Sequence, residues 1–453
     1  MAALDPLDTP EFTAKGRATR ERIIQAAARV LLAEGLSGFN IDLVRQEAHV
    51  SGSQLTHYFT DRQALVRAVV QRQIEVVLDF HRQPKLGGLN TFEDWERWAD
   101  LNLRYLRKIG YTGTPTYHTL AGQLAKSDDA TRQALGEGYW RWVELLEESL
   151  QRMKDRGVLA TAANPRQLAM IVVAGHQGSG TLLVHRQEWP LTDGTRFLVN
   201  YLRLFAVDPA ERGSRPPRPP RTRRTHHDEA TARADEGHFT RKGVATRTRI
   251  VRGAAELMFE RGVNGTSLKD VRSAVTVSGS QLSHYFADKR DLTRHVIASR
   301  TSDVVEFHTQ PQLGQLDSLD ALRTWVRECV ADVDAVYLLG GCVYGSLTGE
   351  LLEADEAVLD DLAAGYERWL QLFRTGLTTM RNRGELAEHA DPRHLAAVLV
   401  IAHQGGAMLT HTTGSPEPFA AVVGAAVEYV ASFRPPPKKR RTSSSSRPAI
   451  NER

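Results

Sequence analysis

Cysteine is nearly absent: Cys329 and Cys342 are the only two in 453 residues. That excludes a disulfide framework and a Cys-based zinc cage, and it suits a reducing compartment. Long apolar runs are also missing. The longest, at 169–174 and 395–402, fall well short of the ~18–20 residues of a membrane span, so no membrane partner is expected. The opening stretch, MAALDPLDTPEF, has acids where a secretory leader has bases, so a cytoplasmic location is expected. No nucleophile elbow, HExxH, glycine-rich nucleotide loop or paired-carboxylate helix occurs, so neither an enzyme nor a cofactor is indicated. What remains is 41% hydrophobic and 25% charged, too rich in apolar residues for wholesale disorder and long enough for two or more domains.

The net charge of +4 is unevenly spread. Residues 211–225 carry +5 and 434–453 carry +6, which leaves −7 for the rest. Within that remainder, 12–63 is +2 and 239–290 is +6, so everything else sums to −15. Basic heads on acidic bodies point to polyanion binding confined to the heads.

The chain repeats itself. FTAKGRATRERI at 12–23 recurs as FTRKGVATRTRI at 239–250, and VSGSQLTHYF at 50–59 as VSGSQLSHYF at 277–286. The offset of 227 persists through Trp98/Trp325, Trp142/Trp369 and His176/His403, and becomes 228 at Tyr201/Tyr429. Two copies of one unit of roughly 200 residues are therefore joined, a normal domain-scale size. The divisions expected are a head at 12–66, a body at 67–208, a basic Pro/Arg linker at 209–238, a head at 239–293, a body at 294–433 and a basic tail at 434–453. Linker and tail are read as disordered, and His226 and His227 as solvated rather than a metal pair.

Each head reads as three short helices. Ile23, Ile24, Ala27, Ala28, Leu31 and Leu32 form one apolar stripe that stops at Gly35. A second helix starts near Asn40, and its counterpart near Ser267 has a capping box with Asp270. Ser51 with Gln54, and Ser278 with Gln281, cap a third helix, and only a tight turn separates it from the second. Two short helices so joined describe a helix-turn-helix. Asp61 and Asp288 cap a fourth.

These heads resemble the DNA-binding domain of the TetR/AcrR family of bacterial transcription regulators, in Thr19, Arg20, Ile23, Gly35, Val44, Val50, Ser51, Leu55, the His57-Tyr58-Phe59 run and their counterparts. The bodies resemble that family more briefly, at Arg156, Gly157, Leu159, Pro165 and the HQG runs. The resemblance implies an all-α fold of two tandem units, each a helix-turn-helix head with a helical ligand-binding and dimerising body. Departures are His49 and Thr276 where the family has glycine, and Thr56 and Ser283 where it has tyrosine.

The resemblance and the helix pattern nominate DNA contacts. Ser53, Gln54 and Thr56, with Ser280, Gln281 and Ser283, are candidates for base edges; capping is the alternative role for the two glutamines. Gly52 and Gly279 let backbone approach phosphate. His57, Tyr58, His284 and Tyr285 are expected on phosphate. Lys15, Arg17, Arg20, Lys242 and Arg247, which precede or open the first helix, are candidates for phosphate or a minor groove, with a solvated charged face as the alternative. Arg62 and Lys289 sit at a helix N-terminus that favours phosphate.

In the bodies, Trp98, Tyr105, Tyr117, Tyr139, Trp142, Tyr344, Tyr366 and Trp369 are candidates to line a pocket for a small-molecule effector; ordinary helical core is the alternative. The richer aromatic set points to body one as the main sensor. His176, Gln177, His403 and Gln404 are read as buried interface polars, and both cysteines as core thiols. The function expected is a sequence-specific transcription regulator. It would be a ligand-responsive repressor binding a near-palindromic operator in double-stranded DNA; an effector-independent architectural DNA-binding protein is the alternative. A 28-residue linker (211–238) reaches ~90 Å extended and ~30 Å relaxed, enough for the two units to pair within one chain, 174–183 against 402–409. A homodimer carrying four heads is the competing assembly.

Overall fold

The computed structural model describes residues 12–109, 117–212, 240–351 and 354–435. Most of the linker and the tail, together with Tyr111, His226 and His227, lies outside them, as does the side chain of Leu32. Among the described residues every regular element is helical; a single bridge pairs Leu159 with Ala206. Copy one runs α1 (Ala14–Gly38), α2 (Ile41–Ala48), α3 (Gly52–Tyr58), α4 (Arg62–His81), α5 (Phe92–Ile109), α6 (Tyr117–Leu124), α7 (Asp129–Asp155), α8 (Pro165–Thr181) and α9 (Trp189–Arg203). Copy two runs α10 (Arg241–Arg261), α11 (Leu268–Val275), α12 (Gly279–Tyr285), α13 (Lys289–His308), α14 (Leu319–Ala331), α15 (Leu338–Gly340), α16 (Gly345–Leu351), α17 (Glu356–Asn382), α18 (Pro392–Thr413) and α19 (Glu417–Ala431). The copies differ after α14, where a π-helical turn, Val333–Tyr337, stands in place of the last turn of α5; α15 corresponds to 111–113, outside the described residues.

Caps set most starts. The hydroxyls of Thr13 and Thr240 accept the backbone N–H groups of Gly16 and Gly243, and Asp61 and Asp288 cap α4 and α13. The stop expected at Gly35 is a kink: φ is +63°, and helical turns resume through Gly38. Gly262, at φ +78°, ends α10 outright.

Each body is built around one neutral histidine. His81 donates Nδ1–H to Val77 O (2.7 Å), and its Nε2 accepts the indole N–H groups of Trp98 (3.0 Å) and Trp142 (3.3 Å). His308 repeats this with Val304, Trp325 and Trp369 at 2.7, 3.1 and 2.9 Å. Burial pushes each imidazole down to about 4, which keeps it uncharged and able to accept.

The two copies meet along α8 and α18, flanked by α9 and α19. Small residues allow the approach: Gly178 backs onto Ile401 O and Gly405 N, and Gly405 onto Ala174 O and Gly178 N. Because each position lies 227 from its counterpart, the contact is isologous. Gly122 of α6 and Gly349 of α16 form a second such pair. Polar contacts cross between copies: Tyr201 OH donates to Glu428 Oε2 (2.6 Å), and Arg186 pairs with Glu356 (3.0 Å) and Asp360 (2.9 Å). His176, Gln177, His403 and Gln404, expected as buried interface polars, are bonded within their own bodies, and Gln404 also borders the space between the copies. Tyr139 OH donates to Gln177 Oε1 and Tyr366 OH to Gln404 Oε1, while His176 lies 3.1 Å from Asn102 Oδ1 and His403 2.9 Å from Tyr337 OH. The seam backbones are too close to admit side chains of that size.

Candidate nucleic-acid interface

The recognition helices α3 and α12 are near copies in geometry as well as sequence. Each begins with a closed capping box: Ser51 N–H donates to Gln54 Oε1 (3.0 Å) and Gln54 N–H to Ser51 Oγ (3.1 Å), with 2.9 and 3.1 Å for Ser278 and Gln281. Leu55, Phe59, Leu282 and Phe286 are buried and hold the helices down. Ser53, Gln54, Thr56 and His57 are exposed on the outer face, as are Ser280, Gln281, Ser283 and His284. Tyr58 and Tyr285 are half-buried; the Tyr58 ring rests on Phe12, with centroids 5.0 Å apart.

The turns before these helices keep the geometry glycine would give. His49 has φ +52° and Thr276 φ +53°, both left-handed. His49 N–H donates to Gln46 O, and Val50 and Val277 donate to Arg45 O and Arg272 O. The second turn is therefore strained rather than rearranged, since a β-branched residue is poorly suited to that region.

The basic candidates divide. Lys15, Arg17 and Lys242 are exposed; the Arg17 guanidinium reaches Phe12 O at 2.7 Å. Arg20 and Arg247 lie over the rings of Phe59 and Phe286, at 5.3 and 5.8 Å, and Arg247 also bonds His295. Arg62 turns inward, donating to Leu36 O (2.7 Å) and Phe39 O (3.4 Å), so its guanidinium ties α4 to the α1–α2 connection. Lys289 is half-buried, and burial lowers its amine's affinity for a proton, while Glu350 and Asp270 act the other way. Arg45 and Arg272 went unnamed in the sequence reading. Each lies on the second helix with its guanidinium beside the N-terminus of the third: a Cβ on Gly279 would sit 3.4 Å from Arg272, and one on Gly52 4.0 Å from Arg45. Their shared place in the repeat was the available signal.

The aromatic candidates for an effector pocket are, apart from exposed Tyr105, packed and bonded in the core. Trp98, Trp142 and Trp369 donate to the central histidines. Tyr117 and Tyr344 donate to Leu135 O (2.7 Å) and Leu362 O (2.8 Å), and Tyr139 and Tyr366 to the two glutamines. Both cysteines are buried and free. No group of three or more His, Cys, Asp or Glu among the described residues is placed to hold a metal, and no single helix there is long and apolar enough to cross a membrane.

Two helix-turn-helix heads carried on paired helical bodies define a DNA-binding regulator. Residues 23–69 and 250–296 match the family described as bacterial regulatory proteins, tetR family, and 318–426 match the tetracyclin repressor-like C-terminal domain. The chain belongs to the TetR family and carries two of its units in tandem. It is 20% identical over 173 residues to the HTH-type transcriptional repressor DhaR of Mycobacterium sp. (strain GP1), covering 38% of this chain and 85% of that protein. It is 24% identical over 148 residues to IcaR of Staphylococcus epidermidis, a negative regulator of the biofilm operon icaADBC, covering 33% and 71%. Among solved structures it is similar to a TetR regulatory protein from Rhodobacter sphaeroides (21% identity, 41% of this chain, 98% of that chain, TM-score 0.38). It is also similar to a TetR regulator from Chloroflexus aurantiacus (23%, 42%, 96%, 0.38).

Proposed function

We propose that this protein is a repressor that binds a near-palindromic operator as a single-chain pseudo-dimer and responds to a small molecule, acting in the cytoplasm on nucleoid DNA. The observation that carries this reading is the isologous seam at Gly178 and Gly405, with an almost identical recognition helix on either side. A two-fold operator requires such a pair, with half-sites about one helical turn, roughly 34–36 Å, or a multiple apart. The names of the two curated relatives, a repressor and a negative regulator, support repression.

In this reading Ser53 and Thr56, with Ser280 and Ser283, meet base edges. Gln54 and Gln281 each commit one Oε1 lone pair to the closed capping box, which fixes the direction in which the amide can meet a base. Gly52, His57, Tyr58, Lys15, Arg17 and Arg45, with Gly279, His284, Tyr285, Lys242 and Arg272, lie against phosphate. Footprinting with light scattering tests this. Two related half-sites and a mass near 50.4 kDa support it; unrelated half-sites, or a concentration-independent mass twice that, overturn it.

A second reading, effector-independent DNA binding, is favoured by one observation: seven of the eight aromatic candidates are packed into the core with their polar atoms bonded. A screen in which no small molecule releases operator DNA selects it.

A further inference from the structure

Between α6 and the α15–α16 connection the two copies line a partly open cavity of about 40 Å³. By that measure one water needs ~10–15 Å³, so there is room for about three waters or one molecule of a few heavy atoms. Copy one contributes Lys126, just past the end of α6; copy two contributes Cys342, Ser346, Gln404 and His411. The cavity therefore exists only where the copies meet. The repeat does not reproduce its polar residues: the sequence position matching Lys126 is Glu353, and the one matching Ser346 is Thr119.

Three of its lining side chains present buried polar atoms with no hydrogen-bond partner in the protein: Lys126 Nζ, Ser346 Oγ and His411 Nε2. Their chemistry is complementary rather than random. The ammonium and the hydroxyl are donors. His411 Nδ1 lies 3.1 Å from Leu338 O, which can only accept, so Nδ1 carries the ring proton and Nε2 is a bare acceptor. Burial holds this imidazole down to about 4, so it stays neutral. The lysine amine is pushed down to about 8 by burial, with Glu350 opposing, so it is largely charged at neutral pH. One face of the ammonium rests over the Phe259 ring at 4.9 Å. Leaving such atoms unmet in a low-dielectric site is costly.

We propose that this cavity binds a small oxyanion carrying one hydroxyl, of the bicarbonate or small hydroxy-carboxylate class. Its charge meets Lys126, its oxygens accept from Lys126 and Ser346, and its own O–H donates to His411 Nε2. A halide has no proton to give the imidazole.

The test uses the full chain without DNA, so its outcome is independent of the operator reading. Bicarbonate is titrated by calorimetry at neutral pH and constant ionic strength, with chloride as the comparison. We expect saturable binding on the order of 1 mM, as suits so few heavy atoms, and none for chloride. Lys126→Met and Ser346→Ala should each weaken it ~10-fold or more. Circular dichroism establishes that the variants are folded; Ser346→Ala, the mildest, keeps the test decisive if Lys126→Met is not. Equal responses to the two anions, no response, or affinity unchanged in Ser346→Ala and a folded Lys126→Met would overturn the proposal in favour of a cavity filled by water.

Discussion

Gly178 and Gly405, 227 positions apart, meet at the centre of the seam, and a Cβ on either would stand 2.8 Å from the other's backbone nitrogen. Each would also run into a carbonyl oxygen of the opposite helix, Ile401 O or Ala174 O. Reciprocal contacts between backbone atoms leave no flexible side chain to give way.

Alanine at either glycine should therefore force α8 and α18 apart. Gly178→Ala and Gly405→Ala are each expected to cost roughly 1–3 kcal/mol in urea unfolding. Gly424, which has nothing within 4 Å of its would-be Cβ, is the control, and Gly424→Ala should be neutral or slightly stabilising.

The left-handed turn at Thr276 stores strain that glycine would relieve. Thr276→Gly should raise stability by about 1 kcal/mol, and His49→Gly by less, since histidine tolerates that region better. Thermal unfolding measures both, and a destabilised Thr276→Gly would show that the threonine side chain has a use in the folded state.

Gly52 and Gly279 separate folding from DNA binding. An added methyl at Gly52 meets only Arg45, at 4.0 Å, and at Gly279 only Arg272, so the fold has room for it. Gly52→Ala with Gly279→Ala should leave stability within ~0.5 kcal/mol and weaken DNA binding roughly tenfold or more. Unchanged affinity would mean the backbone there does not approach phosphate.

Gln54→Ala and Gln281→Ala break the capping boxes. They should cost about 0.5–1 kcal/mol of head stability and weaken operator and random DNA by similar factors. A loss of roughly 1–3 kcal/mol confined to the operator would instead assign base readout to the glutamines.

The buried histidines make stability pH-dependent. His81, His308, His118 and His411 are lowered to about 4, and His176 and His403 to about 3, in each case by burial. A folded value below the unfolded 6.5 means the unfolded state takes up protons first. Their stabilisation is complete above pH ~6.5 and is lost as pH falls toward 4, by roughly 2 kcal/mol per histidine at pH 5. Glu350, raised to about 7 by burial, works in the opposite direction, but it is one group against six. Urea midpoints at pH 7.5 and pH 5 should differ accordingly; equal midpoints would contradict the buried, neutral histidines.

Much of the head was legible because its signals are local. Ser51 and Gln54 are three residues apart, so the order of residues fixes their capping box, whereas the stop read at Gly35 is only a kink. Arg62 was misplaced for the opposite reason. Its position at a helix start suits phosphate, but Leu36 O and Phe39 O, more than twenty residues earlier, lie within reach and take its guanidinium. The aromatic bodies were open to two readings, because a tryptophan lining a pocket and one donating to a core histidine look alike in sequence.

The sequence by itself determined the helical class, the two-fold repeat, the capped recognition helices and the basic heads, since each depends on neighbours along the chain or on the 227-residue offset. Only the tertiary structure decided that His81 and His308 anchor the bodies, that the HQG polars bond within their own bodies, and that Lys126 enters a cavity beside Cys342, Ser346 and His411. Those outcomes depend on which surfaces come within a few ångströms after folding. Burial then sets the charge and hydrogen-bonding role of each group, which residue order alone does not specify.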